Sequence, residues 1–483
     1  MLTNASISQT TKPARRRLRE FLSPLAVLAG AAILFGVPNA SQAQRMDGAL
    51  LGQPATALKT WDIDKVWTGV PVEFSAVRAG DEVMAGYFDQ SRQLSVAVLP
   101  LNGGSATHIR LQDTFKGWDG HNFVVLAVDR AGTIHVAGNM HGDPLKYFQV
   151  RKPYSSRTEK ASPMVGADES SVTYPNFYYM DDGNLVFGYR EGKTGDGAWF
   201  FNKWTGTAWV RLSPGPTFSS RFSGESVNAY PRSAKANDGT FHFALQWRKP
   251  GGLSENFRIT YARTKDFVRW SRLDGSPIEL PLTPENTSVV VDAGTEMGLR
   301  SGPISVDDRG RPVISFTRYA PDGLNAGYVA RGDASGAWLT EEIARTSRRW
   351  VMEGRGIGTR AIAVGSKAVI FRDGTPIACF RIRGRGLECQ MLDAQTLKPV
   401  KAVTLEADTR PRAAAASSDG LAEPSVHEVA VLDASGEETE ASLVWPTQSA
   451  RRWRCTRETP NACNPPAKML RLVAPANWAA DGR

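Results

Sequence analysis

The chain has 483 residues, of which 41% are hydrophobic and 22% are charged. This composition is typical of a globular protein, and it excludes a mostly disordered or collagen-like chain. The formal net charge of +9 is compatible with a polyanionic partner but does not require one.

The first 43 residues have the three parts of a secretory signal peptide. A basic segment at 12–19 precedes an apolar run at 25–37, and Ser41 and Ala43 form a small-x-small cleavage site. The apolar run is shorter than the roughly 20 residues of a membrane-spanning helix, so an N-terminal membrane anchor is the weaker alternative. We therefore expect a secreted or periplasmic protein with no stable membrane insertion. It would be exported by the Sec or the twin-arginine route, and its signal peptide would be cleaved near Ala43.

Seven turn signals recur ahead of β-type runs along the chain. Their glycines are Gly80, Gly132, Gly183, Gly239, Gly310, Gly374 and Gly436. Glycine at these positions supplies the positive φ of a tight hairpin, and the spacing fits one four-stranded sheet per repeat. The pattern predicts an all-β fold, a seven-bladed β-propeller, with residues 44–483 as a single domain. A pair of β-sandwiches with accidental spacing is the alternative.

The four cysteines all lie in the last quarter of the chain. In an exported protein, Cys379–Cys389 and Cys455–Cys463 are the expected local disulfides, although four cysteines allow three connectivities. A zinc site would need closely spaced Cys and His pairs, and the spacing of these four cysteines does not supply them.

Three of the six histidines fall within residues 121–141. His135 lies between apolar neighbours in the middle of a predicted strand, so we interpret it as a packing residue. Asn139 and His141 lie an even number of positions after His135, so in a continuous strand they would face the same side of the sheet. His121 and His141 lie at strand ends, where the central pocket of a propeller opens, and a hairpin can bring them together.

Tyrosine and arginine occupy the two ends of the next predicted hairpins. Tyr174 and Arg190 are 16 residues apart, and Tyr230 and Arg248 repeat the plan one blade later. The simpler interpretation, that these residues only cover strand ends, is open for either pair alone.

This set of His, Tyr and Arg without an acid pair disfavours glycoside hydrolysis, which usually needs two carboxylates. It suits β-elimination from a uronate. An arginine pairs with the carboxylate and stabilises the carbanion-like state, a neutral His or a tyrosinate removes the C5 proton, and a Tyr hydroxyl protonates the leaving O4. The chemistry requires no metal or organic cofactor, and a structural metal is left open.

Two stretches carry a family resemblance: Gly-His-Asn at 120–122 followed by Gly-Asn-Met-His at 138–141, and Tyr-Pro at 174–175 followed by Tyr-Arg at 189–190. They resemble the BNR-repeat polysaccharide lyases, which include ulvan lyases. The resemblance is dense from about residue 115 to 270 and implies a seven-bladed propeller. Residues 254–261 depart from it, because they lack the Asn-His-Asp run that relatives often have.

By position, the resemblance implies that His121 is the general base, Tyr174 the general acid and Arg190 the carboxylate-neutralising arginine. The residues assigned to substrate binding are Asn122, Asn139, His141, Tyr230 and Arg248.

The leading hypothesis is therefore a secreted lyase, acting as a monomer, that cleaves a uronate-containing, sulfated, ulvan-like polysaccharide. Its partner is an acidic polysaccharide, and export argues against nucleic acid. One alternative is a sialidase-like glycoside hydrolase with an arginine triad drawn from Arg190, Arg248 and Arg300 or Arg318. Another is a non-catalytic carbohydrate-binding propeller.

Overall fold

The computed structural model describes residues 57–478, with gaps at 116, 156–158, 353–361, 405–416, 419–420, 422–423 and 449–464. All of them belong to one compact unit, Ala32–Arg483, and the second unit, Met1–Ala31, lies outside the described residues. The predicted signal peptide and the predicted Cys455–Cys463 pair also lie outside them.

The described residues form 33 β-strands and a short 3₁₀ turn at Leu253–Glu255, and they contain no α-helix. The first strands are β1 (Leu58–Val66), β2 (Ser75–Ala79), β3 (Glu82–Phe88), β4 (Gln93–Pro100), β5 (Thr107–Thr114), β6 (Val124–Val128), β7 (Ile134–Gly138), β8 (His141–Asp143), β9 (Tyr147–Val150), β10 (Val172–Tyr179), β11 (Leu185–Lys193), β12 (Asp196–Trp204), β13 (Trp209–Arg211), β14 (Arg221–Phe222), β15 (Glu225–Ser226) and β16 (Asn228–Lys235). The others are β17 (Phe241–Arg248), β18 (Asn256–Thr264), β19 (Trp270–Ser271), β20 (Pro277–Ile278), β21 (Ser288–Asp292), β22 (Arg300–Val306), β23 (Pro312–Tyr319), β24 (Asn325–Gly332), β25 (Trp338–Arg345), β26 (Val364–Ser366), β27 (Ile370–Arg372), β28 (Thr375–Ile382), β29 (Gly386–Leu392), β30 (Pro399–Val403), β31 (Pro424–Leu432), β32 (Glu438–Gln448) and β33 (Lys468–Pro475). The all-β prediction is confirmed.

Most strands pair as antiparallel meanders in which chain neighbours are sheet neighbours. The sheets are β6-β7-β9, β13-β12-β11-β10-β8, β14-β15, β16-β17-β18-β19-β20 with β21 on β18, β22-β23-β24-β25, and β26-β28-β29-β30 with β27 on β28. An eight-stranded sheet, β1-β33-β32-β31-β2-β3-β4-β5, contains both ends of the described chain. Its two halves meet at the parallel pair Val77↔Leu432.

The seven predicted turn glycines all lie in hairpin turns, each between two antiparallel strands. Their φ angles run from 62° to 84°, the left-handed region that favours glycine. Aspartates before the glycines complete the turns: Asp129 Oδ1 accepts from the amides of Ala131 and Thr133 at 2.9 and 2.8 Å. The turn prediction is confirmed, and the number of blades stays a prediction.

The core lies between the faces of neighbouring sheets. A cluster of aromatic rings fills the space between the β10–β13 and β16–β20 sheets: Tyr178, Phe201, Phe243, Phe267 and Trp270. Full burial of one such side chain stabilises the fold by about 1.5–3 kcal/mol. At one contact between neighbouring sheets a glycine faces a bulky side chain: a Cβ on Gly327 would lie 2.5 Å from the ring of Phe380.

The Cys379–Cys389 disulfide joins the adjacent strands β28 and β29, as predicted. Within the described part of the chain, no helix has the length and apolarity that crossing a bilayer requires.

Candidate active site

Two histidines share one carboxylate at the junction of the β6–β9 and β8–β13 sheets. Asp119 Oδ1 lies 2.6 Å from His121 Nδ1, and its Oδ2 lies 2.5 Å from His141 Nδ1. The two imidazole rings stack with centroids 4.5 Å apart. With both Nδ1 atoms donating to the carboxylate, each ring presents an Nε2 lone pair. The sequence predicted that a hairpin could bring the two histidines together, but it did not single out Asp119.

The protonation state of Asp119 follows from these contacts. Burial would raise its pKa, but the hydrogen bonds from His121 and His141 outweigh burial and hold that pKa well below its usual range. The carboxylate is therefore charged at neutral pH, and it stabilises an imidazolium on either neighbour.

The same three side chains bring one ligand atom each within 4.8 Å of one another. Two histidines and a carboxylate are a donor set that suits a divalent ion such as zinc. Asp119, His121 and His141 can therefore act either as a hydrogen-bonded acid–base group or as metal ligands.

Strand parity does not place His141, contrary to the sequence prediction. Strand β7 ends at Gly138, and Asn139 has a φ of +59°, which breaks the alternation. The Asn139 side chain is buried and donates to Asp113 Oδ2 at 2.6 Å and to the Thr114 carbonyl at 3.1 Å.

The other two predicted polar residues of this segment are also buried. His135 contacts the Tyr147 hydroxyl at 2.6 Å and Asp129 Oδ2 at 3.3 Å, which confirms it as a packing residue. The side-chain oxygen of Asn122 has no partner among the described residues.

Tyr174 lies beside the histidine pair on strand β10. Its ring centroid is 5.9 Å from that of His121 and 6.4 Å from that of His141. Its φ is +58°, a conformation that a bulky residue rarely adopts, and the β10–β11 register shifts between Thr173 and Asn176. Such a strained bulge re-aims a side chain. Burial and the neighbouring Tyr230 raise the pKa of Tyr174, against the effect of nearby arginines.

Arg190, on the adjacent strand β11, lies against the Tyr174 ring with its guanidinium carbon 4.9 Å from the centroid. Only 1% of Arg190 is exposed. Its Nη2 donates to Thr173 Oγ1 at 3.0 Å, and its Nε and Nη1 have no partner among the described residues. A buried guanidinium with unused donors is costly unless an anion or water takes them up.

Tyr230 and Arg248 repeat this pairing on β16 and β17. Arg248 lies 4.0 Å from the Tyr230 ring centroid, and its Nη1 donates to the Tyr230 hydroxyl oxygen at 2.8 Å. Its Nε donates to Asn256 Oδ1 at 2.6 Å. The Tyr230 ring is 5.9 Å from that of Tyr174, so the two Tyr–Arg pairs are contiguous.

Three more charged residues act electrostatically on this site. The sequence pointed to Arg300 only as an option for the sialidase-like triad, and it gave no role to Arg232 or Glu73. Burial lowers the pKa of Arg232, while Tyr174 and Glu73 act in the opposite direction. Burial, Arg232 and Arg248 lower the pKa of Arg300 to about 9, which still leaves it charged at neutral pH. Burial raises the pKa of Glu73 to about 7, although Arg232 opposes this. Arg318 lies elsewhere, over the ring of Tyr328.

Comparison with known proteins agrees with this fold. A family model described as a BNR repeat-containing family member matches residues 83–346. A search of curated protein sequences found no match to the chain.

Solved polysaccharide lyases are similar in structure. An ulvan lyase of polysaccharide lyase family PL25 aligns with a TM-score of 0.51 and 14% identity, over 72% of this chain and 87% of that one. The values are the same for the PL25 ulvan lyase bound to -[GlcA(1-4)Rha3S]-. The polysaccharide lyase Uly1 aligns with a TM-score of 0.51 and 14% identity, over 93% and 98% of the two chains. At this identity the likeness establishes an all-β fold of the β-propeller type, and the chemistry has to be argued from the site.

Proposed function

Because the chain belongs to the BNR repeat-containing family, we propose that it is a secreted polysaccharide lyase. It cleaves a uronate-containing, sulfated, ulvan-like polysaccharide by β-elimination. The observation that carries this proposal is the position of Tyr174, between a buried guanidinium with two unpaired nitrogens and a pair of carboxylate-bound histidines.

We assign the roles from the contacts. His121 Nε2 removes the C5 proton of the uronate, because Asp119 holds the ring in the tautomer with a free Nε2 lone pair. Charge develops on the uronate carboxylate as the C5–H electrons move into the C5–C6 bond, and the unpaired nitrogens of Arg190 stabilise that charge. The C4–O4 bond then breaks, and C4 and C5 become joined by a double bond.

Tyr174 donates its hydroxyl proton to the departing O4. Its raised pKa keeps the phenol protonated at neutral pH, which is the state that a general acid requires. One proton is taken up and one is given back, so the reaction consumes neither water nor a redox equivalent. The neighbouring Tyr230, Arg248 and His141 contact the sugar.

We further propose that residues 44–483 form one seven-bladed propeller behind the signal peptide. The seven glycine hairpins and the pairing of β1 with β33 support this arrangement. In such a ring the first strand completes the sheet of the last repeat.

A specific observation favours a sialidase-like hydrolase as the second candidate. Arg232 and Arg248 both act electrostatically on Arg300, and a triad of arginines around a carboxylate is what such an enzyme needs. The lyase is favoured because the sialidase scheme gives His121 and His141 no role.

The test is to incubate the mature protein with ulvan and with other uronate polymers and to follow the ultraviolet absorbance of the unsaturated product. Absorbance growth supports the lyase. Release of free sialic acid without that absorbance would establish the hydrolase, and binding without turnover would leave a carbohydrate-binding protein. Repeating the assay after treatment with a metal chelator separates the two roles of His121 and His141. If they bind a metal that the reaction needs, activity is lost; if they act as an acid–base pair, activity is kept.

The first prediction concerns the three proposed catalytic residues. We expect His121→Ala and Tyr174→Phe each to lower kcat by about 10²–10⁴-fold, the contribution of one acid–base group. Arg190→Lys is expected to be strongly impaired as well, because a point charge replaces a bidentate fork.

Matched controls for these variants lie outside the site. His108→Ala, Tyr328→Phe and Arg211→Lys change residues that make their own contacts elsewhere, and they are expected to keep near-normal activity. If His121→Ala and Tyr174→Phe both kept near-full activity while the unmodified protein cleaves the polymer, the assignment of these residues as catalytic would be wrong.

A further inference from the structure

A group of arginines and aromatic rings follows the end of strand β25. Arg348 lies over the Trp350 ring, 4.4 Å from its centroid, and Arg349 lies over the Tyr319 ring at 4.3 Å. Both arginines are exposed, whereas Tyr319 is buried. We call Arg348, Arg349, Trp350 and Tyr319 the basic–aromatic cluster.

Hydrogen bonds hold the two aromatic residues of the cluster together. The side chain of Asn325 accepts from the Trp350 amide at 2.8 Å and donates to the Trp350 carbonyl at 3.0 Å. The Tyr319 hydroxyl donates to the same carbonyl at 3.4 Å and accepts from the amide of Met352 at 2.8 Å. The two rings therefore belong to one hydrogen-bonded unit, and the arginines that lie over them need little further ordering to bind an anion.

The guanidinium groups of the cluster keep their hydrogen-bond donors available. Arg345, in the same segment, forms ion pairs with Glu342 and Asp322. Arg348 and Arg349 instead contact aromatic rings, and neither forms an ion pair with a carboxylate of the described residues. Contact with a ring uses the face of a guanidinium and leaves the N–H donors in its plane, where they can pair with a carboxylate or a sulfate.

The cluster lies at the same edge of the sheets as the candidate active site. Arg248 ends β17, and its partner Asn256 donates to the carbonyl of Leu299 at 2.7 Å, just before β22 begins. The nearby carbonyl of Met297 accepts from the amide of Tyr319 at 2.8 Å. Because neighbouring sheets pack about 10 Å apart, the cluster lies on the order of 10–20 Å from Arg248.

We propose that the basic–aromatic cluster is a distal binding site for the acidic polysaccharide, in which carboxylates or sulfate esters of the chain pair with Arg348 and Arg349. A long polymer engages this site and the active site at once, and the distal contact raises the effective concentration of the chain at Tyr174. A short oligosaccharide does not reach both places. The inference rests on the proposed function, because it takes the reacting uronate to lie at Tyr174 and Arg190.

The first experiment measures binding without cleavage, in a Tyr174→Phe background. Calorimetric titration with ulvan is expected to show an affinity about 2- to 30-fold weaker when Arg348→Gln and Arg349→Gln are combined, the effect of two exposed charge contacts. Arg269→Gln with Arg385→Gln is the matched control, since it removes the same charge from exposed arginines that already pair with nearby carboxylates. An equal loss in the control pair, or no loss in either pair, would overturn the proposal.

A second experiment compares the kinetics on ulvan with those on a short ulvan oligosaccharide. The combined Arg348→Gln and Arg349→Gln protein is expected to have a KM for the polymer that is higher by a similar factor, with kcat unchanged. Its kcat/KM on the oligosaccharide is expected to stay the same, because the cluster takes no part in the reaction. An equal fall of kcat/KM on both substrates would show an effect on the active site or the fold, and it would overturn the distal site.

The distal site and the proposed lyase activity fail separately. Ulvan binding that depends on the cluster, in a protein that cleaves no uronate polymer, would retain the site and reject the lyase. Cleavage of ulvan with unchanged affinity and KM in the combined variant would reject the site alone. Binding to anionic lipid vesicles that depends on the cluster, with ulvan binding unaffected, would assign the cluster to a membrane surface and overturn the proposal.

Discussion

Asp119 is the residue on which the proposed base depends most, because one carboxylate serves two imidazoles. Each of its oxygens accepts from one Nδ1, at 2.6 and 2.5 Å. An amide offers one acceptor and one donor, so it cannot replace both contacts. One of the two histidines would then be forced into the opposite tautomer, with its lone pair at Nδ1.

We therefore expect Asp119→Asn to lower kcat on the order of 10²-fold, the low end of an acid–base contribution. The pH dependence of kcat should shift, while KM changes little. Asp113→Asn is the matched control, since Asp113 contacts Asn139 and Lys146 rather than the histidines. An Asp119→Asn protein with unchanged kcat and an unchanged pH profile would remove Asp119 from the mechanism.

Glu73 gives the site a pH dependence of stability. Burial raises its pKa from 4.5 to about 7 in the folded protein, whereas in the unfolded chain it keeps its ordinary value. Between these two values the folded state binds more protons than the unfolded state, so the free energy of unfolding falls as the pH rises through that window.

Replacing Glu73 with Gln removes this effect, because the amide resembles the protonated acid. We expect Glu73→Gln to match the unmodified protein at pH 4 and to exceed its stability by about 1–3 kcal/mol at pH 8. Urea denaturation at a series of pH values measures the difference. A difference that does not vary with pH would contradict the assignment of a raised pKa to Glu73.

At the scale of elements, the turns were predictable because their information is local. An aspartate and a glycine a few residues apart between two β-type runs favour a hairpin turn, and Gly132 and Gly310 both have the expected positive φ. The prediction that Asn139 continues the strand alternation was wrong. Asn139 itself has a left-handed φ, which ends the alternation, and a single sequence does not reveal that conformation.

The pairing of His121 with His141 was also predictable, since the two residues flank the β6–β7 hairpin, one just before it and one just after it. The membership of Glu73 in the same site was not predictable, and Arg300 was predicted only as one option for the alternative arginine triad. They come from segments far apart in the chain, and the order and spacing of the sheets around the site decide which of their side chains meet.

Close approach of neighbouring sheets is tested at Gly327. A Cβ there would lie 2.5 Å from two ring atoms of Phe380, so we expect Gly327→Ala to destabilise the fold by about 1–3 kcal/mol through overpacking. Phe380→Leu in the same protein should recover part of the loss, because it makes room.

At Gly310 no atom of the described residues beyond its chain neighbours lies within 4 Å of the position that a Cβ would occupy, and φ is +73°. Gly310→Ala should therefore cost about 1–2 kcal/mol of backbone strain, which Phe380→Leu does not relieve. Equal rescue of both variants would contradict a packing origin.

At the scale of the whole molecule, the first described strand pairs with the last. Eight residue pairs, from Leu58↔Pro475 to Val66↔Lys468, join β1 to β33, and Arg471 Nε contacts Asp62 Oδ1 at 2.7 Å. Strand β1 also reaches the next half of the sheet, since the Tyr87 hydroxyl donates to Asp64 Oδ2 at 2.7 Å. A contact this remote in sequence is slow to form, but it covers the edge of β33 and leaves β1 as the outermost strand of the sheet.

A chain that begins at Trp67 lacks this closing strand, whereas one that begins at Leu58 keeps it. We expect the shorter chain to melt at a lower temperature and to associate in a concentration-dependent way, because β33 is left with an unpaired row of amides and carbonyls. Thermal denaturation and light scattering at two protein concentrations measure both effects. A synthetic peptide of residues 58–66 should restore part of the melting temperature by pairing with β33, as an added strand does on an open edge. If the two chains melt at the same temperature and both remain monomeric, the pairing of β1 with β33 does not stabilise the fold.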